Sequence, residues 1–104
     1  MSETIKSPGG ITVRFLEAID CFKGKYGYWP TALETDAGTL AMIATVCLTP
    51  KGFYQLQSKI NIVVSDEYRL LAKGKDNDVL DYSQEGWNIQ HNSEARDWLG
   101  FEED

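Results

Sequence analysis

The chain has 104 residues, of which 42% are hydrophobic and 25% charged, and its formal net charge is −6. This length allows one domain with a modest core, and the ordinary composition excludes a wholly disordered chain. No apolar run approaches the roughly 20 residues of a membrane helix, so we expect no membrane span. The first ten residues lack the hydrophobic stretch of a secretory signal, and we therefore expect a cytoplasmic protein.

The N-terminal part is predicted to contain one long helix. Ser7–Gly10 combines a proline with two glycines, so residues 1–10 are predicted to be a flexible lead-in. From residue 11 onward, apolar residues recur at spacings of three and four, which predicts an amphipathic helix. This stripe consists of Ile11, Phe15, Ala18, Ile19, Phe22 and Tyr26. Gly27 permits a positive φ and can end the helix.

Two shorter helices are predicted next. Trp29-Pro30 breaks the first helix, and residues 31–35 are compatible with a short extended segment. The apolar run Leu40–Cys47 favours a helix, although a buried strand fits the same run. Thr49 followed by Pro50 is the pattern of an N-cap and a first helical residue, and it predicts a helix that reaches about Lys59.

The C-terminal half is predicted to form a small sheet and a short helix. Asn61–Val64 is rich in β-formers, and Tyr68–Lys73 and Asp78–Tyr82 flank a turn in which Gly74 and Asn77 suit left-handed backbone. These segments predict an antiparallel meander of about three strands, since a lone hairpin is barely stable.

Ser93 is predicted to cap a final helix over Glu94–Leu99, with Gly100 as its end. The prediction is therefore an α+β fold: a single domain over residues 11–100 and an acidic tail over 101–104.

The sequence does not predict an enzyme, a metal site or a cofactor site. His91 is the single histidine, and Cys21 and Cys47 lie in apolar patterns that usually bury inert thiols, so we expect no Cys–His pair. Two cysteines and one histidine are too few for a structural zinc site. The acidic run that starts at Asp76 does not continue as an EF-hand loop, and the Gly-Lys steps lack the frame of a phosphate-binding loop.

Charge and aromatic residues instead suggest a binding surface. Residues 1–75 carry nine basic and seven acidic side chains (net +2), whereas residues 76–104 carry only Arg96 against nine acids (net −8). Aromatic side chains are common anchors at protein interfaces. The favoured hypothesis is a non-catalytic interaction or regulatory domain that binds a basic or nucleic-acid-associated protein, with neither nucleic acid nor membrane as a direct partner; the oligomeric state stays open. The candidate contact residues are Tyr28, Trp29, Asp76, Asp78, Asp81, Glu85 and Trp87.

Two alternatives remain. In the first, the acids of the C-terminal quarter imitate a phosphate track and block a nucleic-acid-binding protein; they are Asp76, Asp78, Asp81, Glu85, Glu94 and Asp97.

The second alternative comes from a local resemblance. Leu48–Gly52 (LTPKG) is similar to the L-T-x-K-G step of MarR-type winged-helix regulators, and Tyr26–Thr31 resembles the entry into the second helix of LexA-type domains. The resemblance implies a winged-helix-like DNA-binding domain. It covers a small part of the chain, and in the MarR family the step follows the wing, whereas here it precedes the hairpin. Asp76 and Asp78 at the hairpin tip would also repel phosphates.

Overall fold

The computed structural model describes residues 4–7 and 9–101, with Trp87 described in its backbone only. Over this part the chain forms five α-helices and four strands: α1 (Ile11–Tyr26), β1 (Ala32–Asp36), α2 (Ala37–Met42), α3 (Pro50–Lys59), β2 (Asn61–Ser65), β3 (Leu70–Lys73), β4 (Val79–Asp81), α4 (Tyr82–Glu85) and α5 (Ala95–Leu99). A π-helical turn, Ile43–Cys47, continues α2, and a 3-10 turn, Gly86–Asn88, follows α4.

The sheet is mixed, and its strand order is β2-β1-β3-β4. β1 is parallel to β2 and antiparallel to β3, which forms a hairpin with β4. The fold is α+β as predicted, but the antiparallel three-strand meander is wrong. The short extended segment after Trp29 is a central strand, and β2 pairs with it rather than with β3. The reason is topological, because α2 and α3 form a crossover between β1 and β2 that returns the chain in the same direction.

The helices cover one face of this sheet. α1 packs on β3 and β4, and its buried Phe15, Ile19 and Phe22 form the centre of the hydrophobic core. Leu33 of β1 and Leu80 of β4 are fully buried in the same core. Side chains alternate between the two faces of a strand, so the neighbours of these residues lie on the opposite face. That face carries the charged residues Glu34, Lys73 and Asp81.

The helices with local sequence signals form as predicted. α1 spans Ile11–Tyr26 and is followed by Gly27, whose φ of +82° is left-handed. The Thr49 side chain accepts a hydrogen bond from the Gly52 N–H at 3.1 Å, and Pro50 is the first residue of α3. The segment Leu40–Cys47, which also fitted a strand, is helical and changes from α to π geometry at Ile43.

The start of the last helix differs from the prediction. α5 begins at Ala95, and Ser93 does not cap it. The Asp20 carboxylate, from the middle of α1, accepts hydrogen bonds from the N–H groups of Glu94 and Ala95 instead. The predicted end is confirmed, because Gly100 follows α5 with a φ of +81°.

Parts of the predicted lead-in and tail belong to the core. Thr4 and Ile5 are buried, and Ile5 forms an isolated antiparallel bridge with Leu48. Phe101 is also buried in the core cluster. The remaining residues of these two segments include positions 1–3, 8 and 102–104, which lie outside the described residues. In the part of the chain that is described, no helix combines the length and apolarity needed to cross a bilayer.

Candidate functional site

The β3–β4 hairpin presents two of the predicted acidic residues at its tip. Asp76 and Asn77 occupy the two central turn positions with φ values of +53° and +68°, and the Asp78 N–H donates to the Lys75 carbonyl at 2.9 Å. Two left-handed residues give the turn a twist that matches the strands. Asn77 was expected to be left-handed, but Gly74 is not. Asp76 is exposed and Asp78 half-buried, so both carboxylates border solvent.

Tyr28 fastens this turn to the body of the protein. Its hydroxyl donates to Asp78 Oδ2 at 2.7 Å and accepts from the Lys75 N–H at 2.8 Å. The ring stands edge-on to Phe22, with centroids 5.3 Å apart. Partial desolvation raises the pKa of Tyr28, and the bond to Asp78 raises it further, so the hydroxyl stays a donor at neutral pH.

Gly74 allows this attachment by its lack of a side chain. A Cβ at this position would overlap with the Tyr28 hydroxyl and the Phe22 ring. Its role is thus close packing, not the positive φ that the sequence suggested. Lys75 lies with its ammonium 5.9 Å from the centroid of the Tyr28 ring, so one cation stands beside the two hairpin carboxylates.

Asp81 and Glu85 serve mainly local structure. The Asp81 carboxylate accepts from the Ser83 N–H at 3.1 Å and caps α4. Glu85 accepts from the Asp81 N–H at 3.2 Å and forms an ion pair with Lys25 at 2.5 Å. The hydrogen bond from Lys25 lowers the pKa of Glu85. Both carboxylates therefore already have partners within the protein, and Lys25 neutralises much of the Glu85 charge at the surface.

The Trp29 ring is stacked on another tryptophan, and both of its faces are covered by side chains. Its ring is parallel to that of Trp98, with centroids 4.6 Å apart and planes inclined by 8°. The ammonium of Lys23 lies 5.5 Å from the Trp29 centroid, and that of Lys59 lies 5.3 Å from the Trp98 centroid. Because one face of each ring meets the other tryptophan, the lysines take the outer faces. Trp29 thus offers a partner its edge, while the side chain of Trp87 lies outside the described part.

The structure also brings together two groups that the sequence did not connect. Cys21 Sγ lies 3.4 Å from His91 Nδ1, although 70 residues separate them. The expectation that no cysteine meets the histidine is therefore wrong. Nδ1 also lies 3.0 Å from the Ile89 carbonyl, and Sγ lies 3.4 Å from the Gly86 carbonyl. Each member of the pair thus faces a backbone carbonyl. This arrangement favours the His91 tautomer whose Nδ1–H donates to Ile89, and a Cys21 S–H that donates to Gly86.

The thiol is poorly suited to nucleophilic chemistry. Cys21 is fully buried, and this burial raises its pKa to about 11, with Glu17 and Asp20 adding to the shift. Reactive cysteines need a low pKa and solvent access, and Cys21 has neither. His91 is exposed at the rim of an open cleft of about 470 Å³, whose lining is Lys23, Gly24, Gln90, His91, Asn92 and Glu94. The contact is therefore best explained as packing of the segment after α4 against α1.

The predicted contact residues thus divide into separate groups. Tyr28, Asp76 and Asp78 come together at the hairpin tip, which we call the hairpin surface. Asp81 caps the start of α4 and Glu85 is the last residue of that helix, whereas Trp29 lies in the tryptophan stack. Among the described residues, no three His, Cys, Asp or Glu side chains converge as metal ligands do.

No protein-family model, curated protein or solved structure matches this chain.

Proposed function

We propose that this protein is a small non-catalytic interaction module that binds a basic protein partner through the hairpin surface. The observation that carries the proposal is the double hydrogen bond of the Tyr28 hydroxyl to Asp78 and to the backbone of Lys75. It holds an exposed acidic turn in one orientation before any partner arrives. Preorganised groups lose less conformational entropy on binding, so more of their interaction energy is retained as affinity.

Charge supports the same proposal. The hairpin begins the segment of residues 76–104, whose net charge is −8. A negative region attracts basic proteins over a Debye length and speeds their association. Asp78 accepts a hydrogen bond from the Tyr28 hydroxyl, and Asp76 lies two positions before it, so the ring of Tyr28 adds apolar contact area beside the charges. A cytoplasmic location belongs to this proposal, and the two free cysteines are compatible with it.

The experiment is a titration of the isotope-labelled protein with a lysine-rich peptide, followed residue by residue by NMR. We expect shifts centred on residues 74–81 and affinity that falls as salt rises. The double variant D76N/D78N should weaken binding by about tenfold, and Y28F should weaken it less, by freeing the turn. The matched control is D66N/E67Q, which also removes two exposed carboxylates but in the β2–β3 loop.

The outcome distinguishes the alternatives. Equal weakening by the hairpin and control variants would mean that general charge, not this surface, attracts the peptide. If the shifts instead extend to Glu94 and Asp97 as well, the phosphate-imitating inhibitor becomes the better description. The winged-helix alternative predicts a salt-sensitive shift with duplex DNA that is centred on α3, where Lys51 and Lys59 are exposed.

A further inference from the structure

The two edges of the sheet are protected to very different degrees against pairing with a further strand. The β4 edge has three residues, lies next to Asp78, and continues directly into α4. The β2 edge has five residues, Asn61–Ser65, none of them charged and none of them proline. Exposed edge strands are normally short, charged or covered, because their free backbone groups can pair with another strand. Within the described part of the chain, β2 therefore lacks the short length and the neighbouring charge that protect β4.

The backbone of β2 is oriented for such pairing. The Asn61 N–H donates to the Thr31 carbonyl at 2.9 Å, so the backbone groups of Asn61 point toward β1. Since N–H and C=O directions alternate along a strand, those of Val63 also point toward β1. The backbone groups of Ile62 and Val64 consequently point to the outer edge of the sheet, where no strand of the described residues pairs with β2. Val64 is 54% exposed and Val63 36%, so apolar side chains accompany these groups.

We propose that β2 pairs antiparallel with β2 of a second copy of this chain, around a two-fold axis at Val63. In this register Ile62 of one copy is opposite Val64 of the other, and each such pair exchanges two hydrogen bonds, giving four in total. The two Val63 residues meet on the axis as a closely spaced pair on the open face of the sheet. The result is a continuous eight-stranded sheet.

Charges at the ends of β2 favour this orientation. Lys59 and Ile60 precede the strand, and Asp66 and Glu67 follow it; Lys59, Asp66 and Glu67 are exposed. Antiparallel pairing brings the end of β2 that follows Lys59 beside the end of the partner's β2 that precedes Asp66, so these opposite charges lie near each other. A parallel pair would place like charges together. The five paired residues themselves carry no charge, so self-pairing meets no repulsion within the strand.

The proposal is independent of the hairpin surface. The strand order puts β2 and β4 at opposite edges of the sheet. D76N/D78N should therefore self-associate like the unmodified protein. A loss of peptide binding would leave self-association intact, and a loss of self-association would leave peptide binding intact.

The test measures the mass of the protein in solution by sedimentation equilibrium, at protein concentrations that span two orders of magnitude. The unmodified protein should move from 11.7 kDa toward twice that mass. V63K and V63E should each remain a single copy, because like charges then meet across the axis, whereas their equimolar mixture should associate. V13K is the matched control, because Val13 is 41% exposed on α1 and should not affect association.

A second readout needs no variant. In the unmodified protein, amide exchange of Ile62 and Val64 should slow as concentration rises, while Val63, already bonded to β1, should change little. The proposal is overturned if the protein stays a single copy throughout, if V63K associates as before, or if the charge-matched mixture does not associate.

Discussion

The carboxylate of Asp20 in the middle of α1 accepts a hydrogen bond from the backbone N–H of Ala95, the first residue of α5, at 2.8 Å. The same oxygen accepts from the Glu94 N–H at 3.0 Å. α5 has no cap from its own flanking side chains, so a residue 75 positions away satisfies its start. The first N–H groups of a helix have no partner inside it, and a carboxylate there also suits the helix dipole.

Substitution of Asp20 should loosen α5. Because D20A leaves a buried N–H unpaired, we expect a loss of about 1–2 kcal/mol in the free energy of unfolding. D20N keeps an oxygen acceptor and should lose less. Urea denaturation of the three proteins at neutral pH measures this difference. Equal stability of D20A and the unmodified protein would show that the cap is dispensable.

The pH dependence of the same site has a definite sign. Burial raises the pKa of Asp20 above its ordinary value of 3.8. A raised folded-state pKa contributes stability that is fully present below the unfolded value and is lost as pH rises through the folded value. The stability of the unmodified protein relative to D20N should therefore increase on acidification. A relative decrease would contradict this assignment.

Glu34 should show the opposite behaviour. On the open face of the sheet it accepts a hydrogen bond from Lys73 at 2.7 Å and pairs with Arg69 at 3.4 Å. The bond from Lys73 lowers the pKa of Glu34 from its ordinary value of 4.5. Its contribution is present above that value and is lost as pH falls through the lower folded value.

We expect E34Q to cost about 0.5–1 kcal/mol at neutral pH and to reduce the stability lost on acidification. Thermal unfolding between neutral and acidic pH measures both effects. D66N, at an exposed position in the β2–β3 loop, is the control. It should change neither the stability at neutral pH nor the stability lost on acidification. Identical acid sensitivity of E34Q and the unmodified protein would argue against the ion pairs.

The thiol of Cys21 should be unreactive in the folded protein. With a pKa of about 11, it should react with a disulfide reagent at neutral pH about a hundredfold more slowly than an ordinary cysteine. C47A isolates this thiol, and H91A in the same background should leave the rate low. Fast modification at neutral pH that depends on His91 would indicate a nucleophile–base pair and would revive the enzyme hypothesis.

A methyl group at Gly74 should disturb the hairpin attachment. Because the added Cβ overlaps with Tyr28 and Phe22, G74A should cost about 1–3 kcal/mol and loosen the hairpin surface. G9A is the control, since no atom lies near its Cβ, and it should be neutral or slightly stabilising. Denaturant unfolding compares the two variants. If both are equally stable, the close approach at Gly74 is unimportant.

The sequence by itself determined the elements that depend on neighbours within a few residues. Three of these signals depend on residues no more than about one helical turn apart. They are the three- and four-residue spacing of the apolar stripe from Ile11 to Tyr26, the N-cap at Thr49 and the helix end at Gly100. The hairpin turn is equally local, although its left-handed residues are Asp76 and Asn77. The hairpin surface was partly predictable for this reason, because Asp76 lies in the turn and Asp78 follows it directly after Asn77.

The tertiary structure alone decided which distant groups meet. It placed β1 in the centre of the sheet and paired it parallel with β2, and it brought Asp20 to Ala95 and Cys21 to His91. No local pattern specifies such partners, because they follow from burying several amphipathic faces against one another at once. Trp29 shows the consequence: its sequence suggested an interface anchor, and the fold covered its faces with Trp98 and a lysine.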